Sequence, residues 1–497
     1  MIIKNRRSIP VITTILLVLF VFISVHAGQP ALWETSGRAE LLKGDARGVS
    51  ITDTGVVMLA PRLNEIFNTQ QTYVWSSAID NQGNVYLGTG HDGKTFKVTA
   101  GGAGSLLFDA AELDVTALAI GRDGVVYAGT SPDGKVYRIG ADGKADVYFD
   151  PADKYIWSLA VMSDGSLAVG TGDNGKLYRV RNAGAAPESS LLVNTNQTHV
   201  ISLAVTPQGD LVAGTDSGGL VLRVSPDGKM FALFDTQLRE IHALAPAADG
   251  SIYALALSDA ASTSRAPSTP AVTSAQPSEG GTPTTSVTIT AIDETGAVIP
   301  GQAGPTRSRS DVSNARSAVF RILPDGATDV VWSSPTVTAF AIAPALQPGS
   351  VLIGTADKGR IYSVTNDGRD TLLLQSPEGQ ISSLFVRNNQ VYAASSNQGK
   401  LFRFGNELVN EGTYESPVRD AKLTASWGKI WWRGTGAVEV QTRTGNGERP
   451  DATWSDWSTP YRDPEGNQIS SPRARFIQWR ATVKSAASST PASIEDV

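Results

Sequence analysis

Aromatic and charged residues recur at one place in a repeated sequence pattern, directly before or at the start of short apolar segments. The set is Tyr73, Trp75, Tyr155, Trp157, His199, Arg239 and His242, with Asp114 and Glu240 nearby. Aromatic side chains with a few charged groups suit a concave pocket for a ligand or peptide. The alternative is that Trp75 and Trp157 only pack between neighbouring elements.

The same residues permit a catalytic hypothesis. His242 and nearby carboxylates could donate and accept protons in a lyase or a glycan hydrolase. A converged carboxylate pair or a histidine–carboxylate cluster would favour the enzyme, whereas an aromatic surface without one would favour binding. The sequence assigns no catalytic residue.

Other motifs have structural interpretations. Gly-Thr dipeptides end strands and precede hairpins, which does not fit a phosphate loop; we expect the glycine to permit close approach and the threonine to hydrogen-bond locally. The segment 216–219, Asp-Ser-Gly-Gly, resembles a serine-protease nucleophile segment but lies in a predicted hairpin turn. The Asp-Gly turns lack the alternating carboxylates of a calcium loop. The dispersed histidines predict no metal site, and no cofactor is expected.

Tryptophan is concentrated near the C-terminus. The segment 454–458, Trp-Ser-Asp-Trp-Ser, resembles the tryptophan–serine box of cytokine-receptor fibronectin-like domains. We predict an aromatic and arginine face there, formed by Trp454, Trp457, Arg475 and Trp479, with Arg443, Arg473 and Arg480 available to stack on the rings. A stacked ladder that stiffens a sheet is the structural interpretation, and a carbohydrate platform is the functional alternative.

Seven copies of one pattern must position these residues. Each copy has an apolar strand, a tight turn, a second strand, a further turn and a third strand. The opening residues are Val74, Val115, Ile156, Val200, Ile241, Val337 and Ile381. A period near 40 residues with about four strands is typical of a β-propeller. We predict an all-β chain with a seven-bladed β-propeller over 73–405 and a small antiparallel β-sandwich over 412–497, with an incomplete strand pattern at its end.

Equivalent slots in the first strands should point the same way. Trp75, Trp157 and His242 should therefore surround one channel mouth, with smaller residues between them. The smaller residues are assigned as Thr116, Ile201, Thr338 and Ser382.

Two segments depart from the repeat. Residues 259–316, rich in Ser, Thr, Pro and Ala, interrupt the fifth copy and are predicted to be a disordered insertion. Residues 28–72 contain a blade-like hairpin over 48–59, which would either supply the outer strand that closes the ring or form an eighth, incomplete unit. Residues 492–495 are a candidate closing strand for the C-terminal sandwich.

The N-terminus predicts export. Lys4, Arg6 and Arg7 precede an apolar run that ends in Val-His-Ala, as in a signal peptide over 1–27; an uncleaved anchor helix is the alternative. We expect a periplasmic or extracellular protein without a stable membrane span after cleavage. The chain has no cysteine, and its net charge of −6 with no basic cluster argues against nucleic acid as a partner.

The blade pattern, Val-Trp-x-x-Ala followed by Val-Tyr-x-Gly-Thr and Gly-Lys, resembles the repeats of bacterial periplasmic sensors of the two-component regulator type. It is also similar to pyrroloquinoline-quinone and WD-type propeller repeats, although the Trp-Asp ending and the quinoprotein Thr-Gly-x-x-x-Trp segment are absent. The tail resembles the β-sandwich that often follows sensor propellers. The resemblance implies a propeller that functions in sensing or cell-envelope assembly. We therefore expect an exported, non-catalytic scaffold that binds a protein, peptide or glycan, with a propeller lyase or glycan hydrolase as the alternative.

Overall fold

The computed structural model describes residues 31–182, 186–258, 312–485 and 491–497. The predicted signal peptide and most of the predicted insertion lie outside these ranges. The regular secondary structure of the described residues is β-strand, apart from one short helix, α1 (Gly37–Leu41). None of the described helical residues forms a segment long and apolar enough to cross a membrane.

Four strands follow α1 before the repeats begin: β1 (Asp45–Arg47), β2 (Val49–Ile51), β3 (Val57–Leu59) and β4 (Asn64–Asn68). The described part of residues 73–404 then forms seven consecutive groups of strands, called units one to seven.

Units one to three contain β5 (Tyr73–Ile79), β6 (Val85–Gly90), β7 (Lys94–Val98) and β8 (Gly104–Asp109); β9 (Asp114–Ile120), β10 (Val126–Ser131), β11 (Val136–Ile139) and β12 (Ala145–Phe149); and β13 (Ile156–Val161), β14 (Leu167–Thr171), β15 (Lys176–Asn182) and β16 (Pro187–Asn194). Units four and five contain β17 (His199–Val205), β18 (Leu211–Asp216), β19 (Leu220–Val224) and β20 (Met230–Asp235); and β21 (Glu240–Pro246), β22 (Ile252–Leu257), β23 (Ser317–Ile322) and β24 (Thr328–Ser334). Units six and seven contain β25 (Ala339–Pro344), β26 (Ser350–Thr355), β27 (Arg360–Thr365) and β28 (Asp370–Gln375); and β29 (Gln380–Arg387), β30 (Gln390–Ser396) and β31 (Lys400–Phe404).

Within each unit the strands pair antiparallel in sequence order. The first strands, β5, β9, β13, β17, β21, β25 and β29, pack against one another in turn, and β29 packs against β5. The first strands therefore form a closed inner ring. Unit seven takes its fourth strand from the N-terminus, because β4 pairs with β31 from Asn68 opposite Lys400 to Asn64 opposite Arg403.

The hairpin over 48–59 neither supplies the strand that closes the ring nor forms an eighth unit. Its strands β2 and β3 pair with each other, and Ile51 lies opposite Leu372 on the outer strand of unit six. All three residues of β2 are buried, whereas β4 is half-exposed, as an outer strand is. A strand covered on both faces needs a further layer, and the C-terminal region supplies it.

The C-terminal strands are β32 (Glu411–Glu415), β33 (Arg419–Ala425), β34 (Lys429–Ile430), β35 (Arg433–Thr435), β36 (Ala437–Gly445), β37 (Asn467–Gln468), β38 (Ala474–Lys484) and β39 (Ser493–Asp496). The long strand β38 pairs with β32, β33 and β36, and β1 extends this sheet by pairing with β32. The candidate closing strand exists as β39, but it pairs with β3 of the N-terminal hairpin and with β35.

The apolar core lies between neighbouring units, in clusters that each draw on two adjacent sheets. The largest cluster joins units five and six to both ends of the chain, and it includes Leu41, Tyr253, Tyr414 and Trp479. Lys358 also donates to Asp45 at 2.7 Å, and Arg360 donates to the Gly44 carbonyl at 2.8 Å. The C-terminal sheet is therefore packed onto the ring through a shared core.

The expected roles of the Gly-Thr dipeptides are confirmed. A Cβ on Gly129 would lie 2.6 Å from Cγ2 of Ile156 in the next unit, and Gly170 and Gly214 face Val200 and Ile241 in the same way. The following threonine closes the second hairpin: Thr89 Oγ1 accepts from the Lys94 amide at 3.1 Å and donates to its carbonyl at 3.0 Å.

We expect Gly129→Ala to lower the free energy of unfolding by about 1–3 kcal/mol, because its Cβ would overlap Ile156 in a packed core. The denaturant midpoint measures this loss. Gly428→Ala is the matched control, since a Cβ there meets nothing within 4 Å. Equal stabilities of the two variants would contradict close packing between units.

We expect the fold to be retained when residues 260–310 are replaced by a short Gly-Ser linker. Strands β22 and β23 pair along their whole length, and the Ser258 amide donates to the Arg316 carbonyl at 3.0 Å. Loop-closure entropy changes slowly with length. Val312 and Ala315 stay in the variant because they are buried. Calorimetry should show one cooperative transition; its loss would show that the segment is needed for folding.

Candidate functional site

Every first strand carries a β-bulge at the same place. In unit three, Ile156 pairs with Thr171 and Ser158 with Gly170, so Trp157 is left between them without a partner. The equivalent bulged residues, called the rim residues, are Trp75, Thr116, Trp157, Ile201, His242, Phe340 and Ser382. A bulge re-aims the side chain of its extra residue and often occurs near functional sites.

The assignment of Thr338 to this set was wrong. In unit six the strand pairing begins at Ala339, opposite Thr355, and the bulge leaves out Phe340. Val337 therefore does not open this repeat. Its side chain is only partly buried, and the fully buried opening residue is Ala339. The other opening residues are valine or isoleucine, so the sequence pattern did not identify Ala339 as the opening residue, and Phe340 was missed.

Burial separates the rim residues from their neighbours. The residue before each rim position is completely buried in all seven units, whereas every rim residue is partly or largely exposed. Trp75 is the most open, with 42% of its surface accessible. The ring thus presents seven side chains on one edge, each anchored by a buried neighbour.

Units one and two form the first aromatic cluster. Tyr73 and Trp75 stack in nearly parallel planes with centroids 5.1 Å apart, and His91 lies 5.1 Å from Tyr73. Trp75 Nε1 donates to Asp114 Oδ1 at 3.2 Å, and the His91 amide donates to the same oxygen at 3.1 Å. The tryptophan is therefore oriented by the next unit while much of its surface stays exposed.

Units three and four repeat this arrangement. Tyr155 stacks on Trp157 with centroids 5.1 Å apart, and Trp157 Nε1 donates to His199 Nδ1 at 3.1 Å. The Asp173 amide donates to the same nitrogen at 3.3 Å. Because Nδ1 accepts both hydrogen bonds, the proton of neutral His199 is on Nε2, which lies 3.8 Å from Asp216. His199 therefore acts as an acceptor that positions Trp157.

Unit five contributes charge. Arg239 Nε donates to Asp216 Oδ1 at 2.9 Å, and Glu240 Oε1 lies 2.6 Å from His242 Nδ1. Burial alone would raise the pKa of Glu240. The hydrogen bond from His242 and the attraction of His242 and Arg239 outweigh burial and hold that pKa below its usual value. His242 also meets the Phe340 ring edge-on at 5.5 Å.

The structure therefore brings Tyr155, Trp157, His199, Arg239 and His242 into one run across units three to five. Tyr73 and Trp75 form a second, equivalent cluster two units away. The run combines an aromatic surface with one hydrogen-bonded histidine–carboxylate pair, Glu240–His242. The feature expected to favour an enzyme was larger: a pair of carboxylates or a histidine–carboxylate cluster. No described group of three or more carboxylate or histidine side chains is arranged to hold a metal ion.

Sequence reasoning missed ion pairs between a buried carboxylate, which lies shortly before a first strand, and a lysine of the same unit. Asp153 is buried and accepts from Lys176 at 3.2 Å and from Tyr178 at 3.2 Å. Glu112 likewise accepts from Lys135 at 2.7 Å. The signal was present, because the lysines belong to the recurring Gly-Lys turns that had been interpreted only as hairpins.

The C-terminal face is partly as expected. Trp457 is sandwiched between Arg443 at 4.4 Å and Arg480 at 4.5 Å, and Arg443 also lies 5.9 Å from Trp454. This is the expected Trp/Arg ladder. Trp454 is nevertheless buried, and its Nε1 donates to the Gly447 carbonyl at 3.0 Å.

Two assignments to this face are corrected. Trp479 is 2% exposed and packs against Tyr414 in the core. Successive side chains of β38 point to opposite faces of the sheet, so Trp479 faces the core while its neighbour Arg480 faces the ladder. Arg475 forms a bidentate pair with Asp420, at 2.8 and 2.9 Å, and lies over Phe476 rather than a tryptophan. Arg473 is exposed beyond the start of the strand.

No family model and no curated protein matches the chain. Solved structures do match. A virginiamycin B lyase from Staphylococcus aureus aligns with a TM-score of 0.50 and 12% identity over 69% of this chain and 99% of its own. A streptogramin B lyase aligns with the same TM-score and identity over 70% and 98%.

These neighbours are β-propeller proteins, so the predicted all-β, propeller-type fold is confirmed. An identity of 12% shows the fold alone. In total, 870 solved chains match, which indicates a widespread scaffold rather than a particular activity.

We expect Trp157→Ala to lower the free energy of unfolding by less than about 2 kcal/mol, since the partly exposed ring removes only part of its area from water. Trp479→Ala is the comparison and should cost about 3–5 kcal/mol because that ring is buried. Urea denaturation of both variants measures the difference. A cost for Trp157→Ala equal to that of Trp479→Ala would mean that the rim tryptophan is an element of packing.

Proposed function

We propose that the protein is an exported seven-bladed β-propeller with a C-terminal β-sandwich, and that its rim binds a protein or peptide without performing chemistry. One observation supports this function above the others. The seven first strands repeat one bulge that places a partly exposed side chain beside a fully buried one, and four of these side chains are rings.

The rim has the composition of a protein-binding surface. Trp75, Trp157 and Phe340 provide apolar area, and they alternate with charged groups such as Arg239 and Glu240. Aromatic residues and arginine dominate the energetics of protein interfaces. The indole groups are already oriented by Asp114 and His199, so little side-chain entropy is lost on binding.

A lyase is the second candidate, and the Glu240–His242 contact favours it. The carboxylate fixes Nδ1 of the imidazole, and Nε2 has no hydrogen-bond partner among the described residues. Such an imidazole could remove a proton next to a carbonyl group. A glycan hydrolase is less well supported, because it needs one carboxylic acid with a raised pKa and the pKa of Glu240 is lowered.

Export is part of the proposal because of the basic, apolar and small-residue order of residues 1–27. Nucleic acid stays an unexpected partner because of the acidic balance of the chain. The affinity capture described next would also detect a glycan ligand.

Affinity capture from an extracytoplasmic fraction, with the mature chain as bait, tests the proposal. Phe340→Ala and Trp157→Ala should each weaken binding of the captured partner by roughly 2 kcal/mol, as expected for aromatic hot spots. Leu423→Ala, at an exposed site on the C-terminal sheet, is the control. If both rim variants bind the captured partner as tightly as the wild type does, the rim is not the binding surface.

The captured partner also separates binding from catalysis. Under the binding function, wild type and His242→Gln leave the mass of the partner unchanged. A lyase would split it without adding water, and His242→Gln would stop that reaction. Mass spectrometry after prolonged incubation distinguishes these results.

A further inference from the structure

Units one and three carry the same aromatic platform. Tyr73 on Trp75 and Tyr155 on Trp157 have equal centroid separations of 5.1 Å. Each indole lies against a glycine of its own unit: a Cβ would come within 2.0 Å of Trp75 Nε1 at Gly90 and within 2.5 Å of Trp157 Nε1 at Gly172. The two platforms are thus alike in their stacked rings and in the glycine against each indole, although the indole donates to Asp114 in unit one and to His199 in unit three.

They differ in the residue that precedes the tyrosine. In unit three this is Lys154, whose Nζ lies 4.9 Å from the centroid of the Tyr155 ring. In unit one it is Thr72. Both residues are exposed, and both stand two positions before the buried residue that opens the first strand, Ile156 and Val74. Their turn contacts differ, because the Gly134 amide donates to the Lys154 carbonyl at 3.0 Å, whereas the corresponding Gly399 amide donates to the Gln71 carbonyl at 2.6 Å. The two positions correspond in the strand register, but only one supplies a cation.

The unit-three platform is thus occupied by the chain itself. Contact with Tyr155 and the nearby carboxylates of Asp173 and Asp133 raise the pKa of Lys154, so its charged form is favoured there. An ammonium group over an aromatic face gains from the ring quadrupole. Lys154 shows that this geometry accepts such a group.

The unit-one platform offers a similar surface without a lysine, although the His91 ring lies 5.1 Å from Tyr73, so the accessible ring is that of Trp75. Among the described residues, no lysine or arginine lies over Tyr73 or Trp75, and Trp75 is 42% exposed. Asp114, hydrogen-bonded to the indole, has no salt bridge within the described part of the chain. The site combines an open aromatic face with a carboxylate that lacks a cationic partner.

Resting on the proposed binding function, we propose that the unit-one platform binds an ammonium group of the partner, such as a lysine side chain of a peptide, against the exposed Trp75 ring and Asp114, in the way that Lys154 lies against Tyr155 in unit three. The partner class is then a lysine-bearing peptide segment. The Trp75 ring, stacked on Tyr73, supplies the face, and Asp114 supplies the charge.

A reciprocal exchange tests the proposal, with a trilysine peptide and its Nε-acetylated form as probes and the full mature chain as receptor. Thr72→Lys should fill the unit-one platform and weaken trilysine binding about tenfold or more. Lys154→Thr should open the unit-three platform and raise the stoichiometry in calorimetric titration from one site to two. Trilysine should shift the indole N–H resonance of Trp75 in the wild type, and the acetylated peptide should not.

Leu423→Lys is the control. Leu423 is 78% exposed and lies on β33 of the C-terminal sheet. This variant adds the same charge without an aromatic platform and should leave trilysine binding unchanged. Equal weakening by Leu423→Lys and Thr72→Lys, or equal binding of the acetylated peptide, would overturn the proposal.

The lysine inference and the proposed binding function can fail separately. A captured partner that binds wild type and Thr72→Lys equally would leave the binding function standing and remove the lysine inference. Trilysine binding with the expected exchange, but no captured partner, would support the platform and count against the wider function.

Discussion

The contact between one unit and the first strand of the next is the constraint on which the structure depends. The opening residue of each first strand is fully buried. In units one, two, three, four and six, a glycine faces the opening residue of the next unit without room for a Cβ. Serine hydroxyls add direct hydrogen bonds across the same boundary, as from Ser76 to the Val115 carbonyl and from Ser158 to the Val200 carbonyl, both at 2.9 Å. With this residue fixed, the bulge that follows it can turn the next side chain outward without loss of packing.

The closure of the ring links both ends of the chain. Strand β4 completes unit seven, and the residues before it enter the C-terminal sheet and the hairpin on unit six. Tyr414 donates from its hydroxyl to the Leu41 carbonyl at 2.9 Å inside this shared core. Because N-terminal strands take part in the ring, the C-terminal sheet and the junction between them, these three parts are expected to depend on one another for stability.

Chemistry on the rim is organised across neighbouring units. Large side chains of units one, three and five meet a partner from the following unit: Trp75 meets Asp114, Trp157 meets His199, and His242 meets Phe340. Binding and catalytic alternatives therefore arise from the same construction. The two aromatic platforms present ring faces, whereas unit five replaces the rings with an ionised glutamate and an imidazole.

The sequence by itself determined the all-β class, the repeat and the roles of the Gly-Thr dipeptides, because strand alternation, turn glycines and a fixed period are local properties. It also identified Tyr73, Trp75, Tyr155, Trp157 and His242 as rim candidates. Only the tertiary structure decided the register of unit six, where Ala339 rather than Val337 opens the strand and Phe340 joins the rim. It likewise decided that β4 completes unit seven and that Trp479 faces the core. Such features depend on which strands pair and which face is covered, and pairing between distant segments is set by packing that no local pattern records.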